Sequence, residues 1–251
     1  MARVAVRLRE QARGTAYFDG AGDPIHLHLH SLQPAERLVI SPMANDCSVY
    51  VWQGAVVAGG VDLAAGSSAV VGRGASLEVT GLELAGAGGE EALVLCFAGS
   101  ADKDGLGTVR LLPAARVPRM AAEPGASGVS GGLHADSDWP DSTVWLHENH
   151  FPCGMELTPD QAARGIHSHS EDEIIFVTAG AMRLGHKLVG PGTAIAIAAD
   201  TLYSFTAGPE GLSFVNFRAA MPGDIRFANG ASINETGYWR ERVGRADYLL
   251  V

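Results

Sequence analysis

The sequence predicts an all-β chain built from two related halves. Two observations carry this. Thirty-two glycines and 12 prolines are spread through 251 residues and separate short apolar runs, the pattern of strands joined by tight turns. A stretch of about 25 residues also returns at one constant offset of 126, with no gap. Val49-Tyr-Val-Trp-Gln-Gly54 resembles Ile175-Phe-Val-Thr-Ala-Gly180, Ala65-Gly66 parallels Pro191-Gly192, and Val70-Val71 parallels Ala196-Ile197.

Composition excludes several function classes. Hydrophobic residues make up 47%, ample for a core. A net charge of −10, with lysine only at 103 and 187, argues against a nucleic-acid surface. Three cysteines, an odd number without a C-x-x-C, suggest a reducing cytoplasm rather than a disulfide framework. The opening Met-Ala-Arg-Val-Ala-Val-Arg-Leu-Arg-Glu lacks the apolar core of a secretion signal, and no run of 18 uncharged apolar residues predicts a membrane span.

In chain order, residues 1–24 read as a lead-in, with alternating Val4-Ala-Val6-Arg-Leu8 and a turn before Pro24. Residues 25–118 form the first half. It opens on Ile25-His-Leu-His-Leu-His30, whose strict alternation puts His26, His28 and His30 on one strand face. That face suits a half-exposed strand, a subunit interface or a metal site, although no carboxylate neighbours it. Ala92 to Phe97 reads as a buried strand and Val109 to Leu112 as another. Residues 119–140, rich in Gly, Ala, Ser and Pro, read as a linker carrying a solvated His134.

Residues 141–220 form the second half. Its first strand, Ser142 to His150, carries Glu148 and His150 on one parity and His147 and Asn149 on the other. One set faces inward; Glu148 and His150 are the expected substrate contacts. Asn216 and Arg218 share a parity on the closing strand and are expected beside them, Arg218 as a carboxylate binder. In the tail, 221–251, Glu235 to Val243 is expected to form a short helix over the barrel or against a partner.

The chemistry concentrates in His167-Ser-His169-Ser-Glu-Asp-Glu173. Two histidines at i and i+2 on an extended strand point the same way. A polar turn can then return the Glu173 carboxylate toward them. Two imidazoles and one carboxylate hold a first-row divalent metal and leave coordination positions open, as non-haem iron oxygenases need.

With Gly180, these residues resemble the first motif of the cupin superfamily, H-x-H-x-x-x-E-(six residues)-G; its leading glycine falls on Gln161. The second cupin motif keeps Gly192, while its Pro, Gly, His and Asn positions hold Ala198, Asp200, Tyr203 and Ala207. The resemblance covers most of the chain. It implies two jelly-roll (double-stranded β-helix) barrels in one chain, a bicupin, pairing as a homodimer, with a metal in the mouth of the second barrel. That metal would be Fe, Mn, Zn, Ni or Co, held by His167, His169, Glu173 and, in place of the family's third histidine, Tyr203. As a phenol, Tyr203 can ligate as phenolate, donate a hydrogen bond, or act with Glu173 in catalysis as acid and base. At the same offset the first barrel holds Ser41, Met43, Cys47 and Leu77, so it should bind no metal and serve a structural role, or hold an apolar ligand.

The expected function is therefore a metal-dependent enzyme acting on a small organic molecule, leaning to oxygenase chemistry. An isomerase or lyase using Tyr203, or a non-catalytic small-molecule sensor, is the alternative. No nucleic acid or membrane partner is expected.

Overall fold

A computed structural model describes residues 4–9, 14–20, 22–42, 44–83, 91–99, 107–120, 129–135, 144–152 and 165–251. The repeat seen in the sequence is a repeat of register. Strand Cys47–Gln53 pairs with Ser68–Val71 so that Cys47 faces Val71, and Glu173–Leu184 pairs with Ala194–Ile197 so that Glu173 faces Ile197. The turns match as well: Gly66 N donates to Val51 O at 2.8 Å and Gly192 N to Val177 O at 2.9 Å. Gly54 and Gly180 explain why the repeat keeps a glycine. Both have positive φ, 72° and 66°. A Cβ on Gly180 would lie 2.2 Å from Gly211 O, and one on Gly54 would lie 2.9 Å from Ala92 Cα. At both places the neighbouring strand's backbone fills the space of a side chain.

Each half contributes one large antiparallel sheet. The first runs Thr15–Phe18, Ile25–Leu32, Ala92–Gly99, Cys47–Gln53, Ser68–Val71, Val109–Leu112 and Leu249–Leu250. The second runs Val4–Arg7, Ala194–Ile197, Glu173–Leu184, Thr206–Arg218, Trp145–Phe151, Ser130–Ala135 and Arg119–Met120. A four-stranded sheet (Arg37–Ile40, Leu77–Gly81, Ala55–Ala58, Val61–Ala64) closes the first barrel, and a three-stranded one (His167–Ser168, Asp224–Phe227, Ser232–Asn234) accompanies the second. Each barrel has its own apolar interior. A further core forms where the two large sheets face each other. There Phe97 stacks on Phe217 at 5.2 Å, and Trp52 meets Phe176 edge-on at 4.9 Å. No helix among the described residues is long and apolar enough to cross a membrane.

The ends of the chain are exchanged between barrels. Val4–Arg7, within the expected lead-in, is an edge strand of the second sheet, with Val4 opposite Ile197. Leu249–Leu250 pairs with Val109–Leu112 in the first.

The stretch read as a linker holds two strands, Arg119–Met120 and Ser130–Ala135, and the second pairs with Trp145–Phe151. Its glycines serve packing: a Cβ on Gly131 would sit 2.5 Å from Glu148 O, and one on Gly132 2.9 Å from Glu148 Oε1. His134, expected in solvent, is fully buried with Nδ1 3.0 Å from Ser68 Oγ.

Glu148 sits in this contact zone. Tyr50 OH donates to it at 3.1 Å, Arg119 pairs with it, and His134 and His150 each bring Nε2 to 3.4 Å. Burial alone would raise its pKa, but the histidine hydrogen bonds and Arg119 hold it far below the carboxylate range. The network joins Tyr50 of the first barrel to the second. Glu148→Gln should lower stability by about 1–3 kcal/mol, the cost of unmatched buried donors. A urea midpoint that falls at constant slope would report it, and an unmoved midpoint would make the network energetically idle.

In the first barrel Cys47 and Leu77 are buried in the apolar core, and Ser41 Oγ bonds Ser76 Oγ at 2.9 Å. Strand pairing puts Cys96 and Ala98 where the second barrel has Asn216 and Arg218. Of the ligand-bearing positions of the repeat, Cys47 and Leu77 are thus apolar here and Ser41 carries a hydroxyl; Met43 lies outside the described residues. His26, His28 and His30 remain half-buried, with the His28 and His30 rings stacked 6.2 Å apart.

Candidate metal centre

His167 and Tyr203 are bound backbone to backbone, His167 N to Tyr203 O and Tyr203 N to His167 O, both at 3.0 Å. This bridge sets their rings 4.6 Å apart. His169 follows two residues on, its ring 5.0 Å from that of His167. The turn then returns Glu173, whose Oε2 lies 3.9 Å from His169 Nε2. His169 thus stands between His167 and Glu173.

A hydrogen bond fixes the His167 tautomer. His167 Nδ1 is 2.8 Å from Gly165 O. A carbonyl only accepts, so Nδ1 carries the proton and Nε2 keeps its lone pair. His169 Nδ1 is 2.9 Å from Glu235 Oε2 and 3.0 Å from Arg218 NH2. It sits between a carboxylate acceptor and a guanidinium donor, and Nε2 is turned toward Glu173.

Behind the ligand pair lies a buried ion cluster. Arg218 NH1 is 2.7 Å from Glu235 Oε1, and NH2 is 3.1 Å from Glu173 Oε2, which also accepts from Asn216 Nδ2 at 2.7 Å. Burial raises the Glu173 and Glu235 pKa values; His169 and Arg218 outweigh it at Glu173, as do Arg218 and His169 at Glu235, and both carboxyls stay ionised. Burial and the adjacent Glu173 push the Tyr203 phenol well above 10, so its hydroxyl keeps its proton. His147 is held neutral by burial, its pKa lowered to about 3, and accepts from Trp145 Nε1 through Nδ1 at 2.9 Å.

These groups line a cavity of about 400 Å³. His147, Asn149 and Phe151 face it from one strand; Phe214, Asn216 and Arg218 from the next; Ile225 and Phe227 from the small sheet; Glu235, Tyr238 and Trp239 from the tail.

Asn216 and Arg218 are thus brought to the site, but both are bound to Glu173, and Arg218 is an ion-pair partner of two carboxylates. Glu148 and His150 are not brought there. They occupy the opposite face of their strand, because register puts His147 against Asn216 and Phe151 against Leu212 on the inner side. Alternation gives two parities, and nothing local in the sequence separates them. Glu235 and His147 are the site residues that sequence reasoning missed; Glu235 is distant in sequence, and the helix Glu235–Arg242 was the sole signal. Glu156 lies outside the described residues.

The chain's residues fit a divalent metal by their chemistry. His167 presents an Nε2 lone pair, His169 turns Nε2 toward Glu173 at 3.9 Å, and Glu173 Oε1 is buried without a hydrogen-bond partner. The groups are held apart rather than closed: among the described residues no three His, Cys, Asp or Glu side chains already form a ligand cage.

Stability should track these carboxylates. Glu148, Glu173 and Glu235 all have depressed pKa values, so their contribution is present above the unfolded-state value of about 4.3 and is lost as pH falls below it. Denaturation midpoints should be flat from pH 7 to about 5 and decline below; midpoints that rise toward pH 4 would contradict this.

No family model matches the sequence, and no curated protein matches it. Solved structures do. An IolB-like protein from Salmonella typhimurium has TM-score 0.61 at 11% identity, over 92% of this chain and 97% of that one. An oxalate decarboxylase variant from Bacillus subtilis has TM-score 0.58 at 12% identity, over 93% and 78%. The two-barrel architecture and these likenesses agree. The chain has a cupin fold. Streptomyces albus HEPD, with 2-hydroxyethylphosphonate and Fe(II) bound, shares the cupin fold at TM-score 0.60 and 10% identity, over 87% of this chain and 76% of that one. In this fold His167 and His169 of the motif line the cavity of the second half, and the first half carries Ser41 and Cys47 where the second has His167 and Glu173.

Proposed function

We propose that the second barrel is a metal-dependent active site for a small organic substrate, with oxygenase-type chemistry. The observation that carries the reading is the pair of imidazoles in one cavity: the His167 and His169 rings lie 5.0 Å apart, and His169 Nε2 lies 3.9 Å from Glu173 Oε2. His167, His169 and Glu173 would hold the ion. With Tyr203 kept as a donor, two histidines and one carboxylate leave positions open, the donor set of non-haem iron oxygenases. Fe(II) in HEPD, on the same fold, supports iron as the first candidate. When bound, the metal would supply Lewis-acid or dioxygen chemistry.

The chain's own residues do the rest. Phe151, Phe214, Phe227 and Trp239 give the cavity apolar walls that exclude water and suit a largely apolar substrate body. Asn216 and Arg218 hold Glu173 in place through hydrogen bonds to its Oε2. The protonated Tyr203 also supports a second reading, isomerase or lyase chemistry in which its hydroxyl gives a proton to the substrate.

Elemental analysis of protein purified without added metal tests the site. One ion per chain is expected, falling to trace in His167→Ala/His169→Ala. An equal content in both proteins would remove the assignment. Oxygen uptake dependent on iron and substrate would separate the two chemistries.

A further inference from the structure

We propose that Glu235 is the positioning carboxylate of this centre, so that the tail helix is a working part of the site rather than a cover. The inference rests on the metal reading above. Glu235 is 3% exposed, and each of its oxygens has a separate task. Oε2 lies 2.9 Å from His169 Nδ1, which Arg218 NH2 also approaches at 3.0 Å; Oε1 pairs with Arg218 NH1 at 2.7 Å. Arg218 in turn grips Glu173 at 3.1 Å. One carboxylate from a distant segment therefore orients one imidazole directly and the Glu173 carboxylate through the guanidinium. Carboxylates in this relation to a ligating histidine fix its tautomer and raise its basicity.

The helix is built to deliver this side chain. Asn234 caps it, accepting from Gly237 N at 2.7 Å. Glu235 N donates to Gly223 O at 3.0 Å, and Thr236 Oγ1 donates to Pro222 O at 2.9 Å, which ties the first turn to the chain leaving the barrel. One turn on, Trp239 packs its ring 4.7 Å from His147. Glu235 and Trp239, four apart, thus present one helix face to the cavity.

The test compares wild type, Glu235→Gln and Thr236→Val; the last loosens the same turn without touching His169. Two readouts are taken. The first is imidazole tautomer in the metal-free protein, by long-range proton–nitrogen NMR, with His169 assigned by its loss in His169→Ala. The second is the dissociation constant for Fe(II) or, as an air-stable probe, Zn(II). In Glu235→Gln, His169 should lose its pure Nδ1–H form while His167, pinned by Gly165 O, keeps it. Metal binding should weaken about 10- to 100-fold. Thr236→Val should leave the His169 tautomer unchanged and weaken binding by less than about a third of that. An unchanged His169 tautomer in Glu235→Gln, or equal weakening in Thr236→Val, would overturn the proposal. If wild type binds neither metal, the reading of the site fails, while the tautomer comparison still decides whether Glu235 orients His169.

Discussion

Arg218→Met should cost about 3–5 kcal/mol of stability at pH 7, the penalty for breaking a buried ion pair from one side. Arg218 is fully buried between Glu235 and Glu173, and the substitution keeps much of its volume while stripping both carboxylates of their cation. For a chain of this length that is a fall of roughly 10 °C in Tm. The pH dependence has a definite sign. Without the guanidinium, His169 is left as the main opponent of burial at both carboxyls, and their folded pKa values move up from their depressed positions. A depressed carboxyl contributes stability above its unfolded pKa and loses it as pH falls through the folded one, so a smaller depression leaves less to lose. The variant should therefore lose less stability than the parent between pH 5 and about 3. Urea denaturation at both values checks it; a loss below about 1 kcal/mol that is equal at the two pH values would show that Arg218 does not compensate these charges.

Phe217→Ala should be of similar size, about 3–5 kcal/mol, the range for emptying a large aromatic site in a packed core. Phe217 has no exposed surface and stacks on Phe97 of the other barrel. Because that core belongs to both barrels, the chain should unfold in one transition monitored by fluorescence and circular dichroism together. A double-mutant cycle with Phe97→Ala should show coupling of about 0.5–1.5 kcal/mol. Two separate transitions in the parent, or additive losses, would show that the barrels hold together without this contact.

Legibility in the sequence followed locality. The motif from His167 to Glu173 could be read because one short segment carries all three groups. The repeat could be read because a constant offset with no gap preserves strand register, down to Cys47 against Val71 and Glu173 against Ile197. His147 could not be chosen over Glu148, since either parity of an alternating strand satisfies its local pattern, and the inner face is set by pairing with Thr206–Arg218. Glu235 lies 66 residues from His169, and a pairing at that distance leaves no local trace. Residues 119–140 looked like a linker because Gly131 and Gly132 are small; they are small so that another strand and Glu148 can approach. The reading of Arg218 as a free carboxylate binder missed that two carboxylates of its own chain already claim it.

The exchange of end strands bears on how the chain is made. On the ribosome the first sheet is complete only once Leu249–Leu250 has emerged to join Val109–Leu112, although Val4–Arg7 emerges ahead of the sheet that it joins. Vectorial folding of the first barrel ahead of the second is thereby denied its last strand. Cutting the gene in two between the barrels would give each fragment a strand belonging to the other, so the pieces should recover their structure only when expressed together.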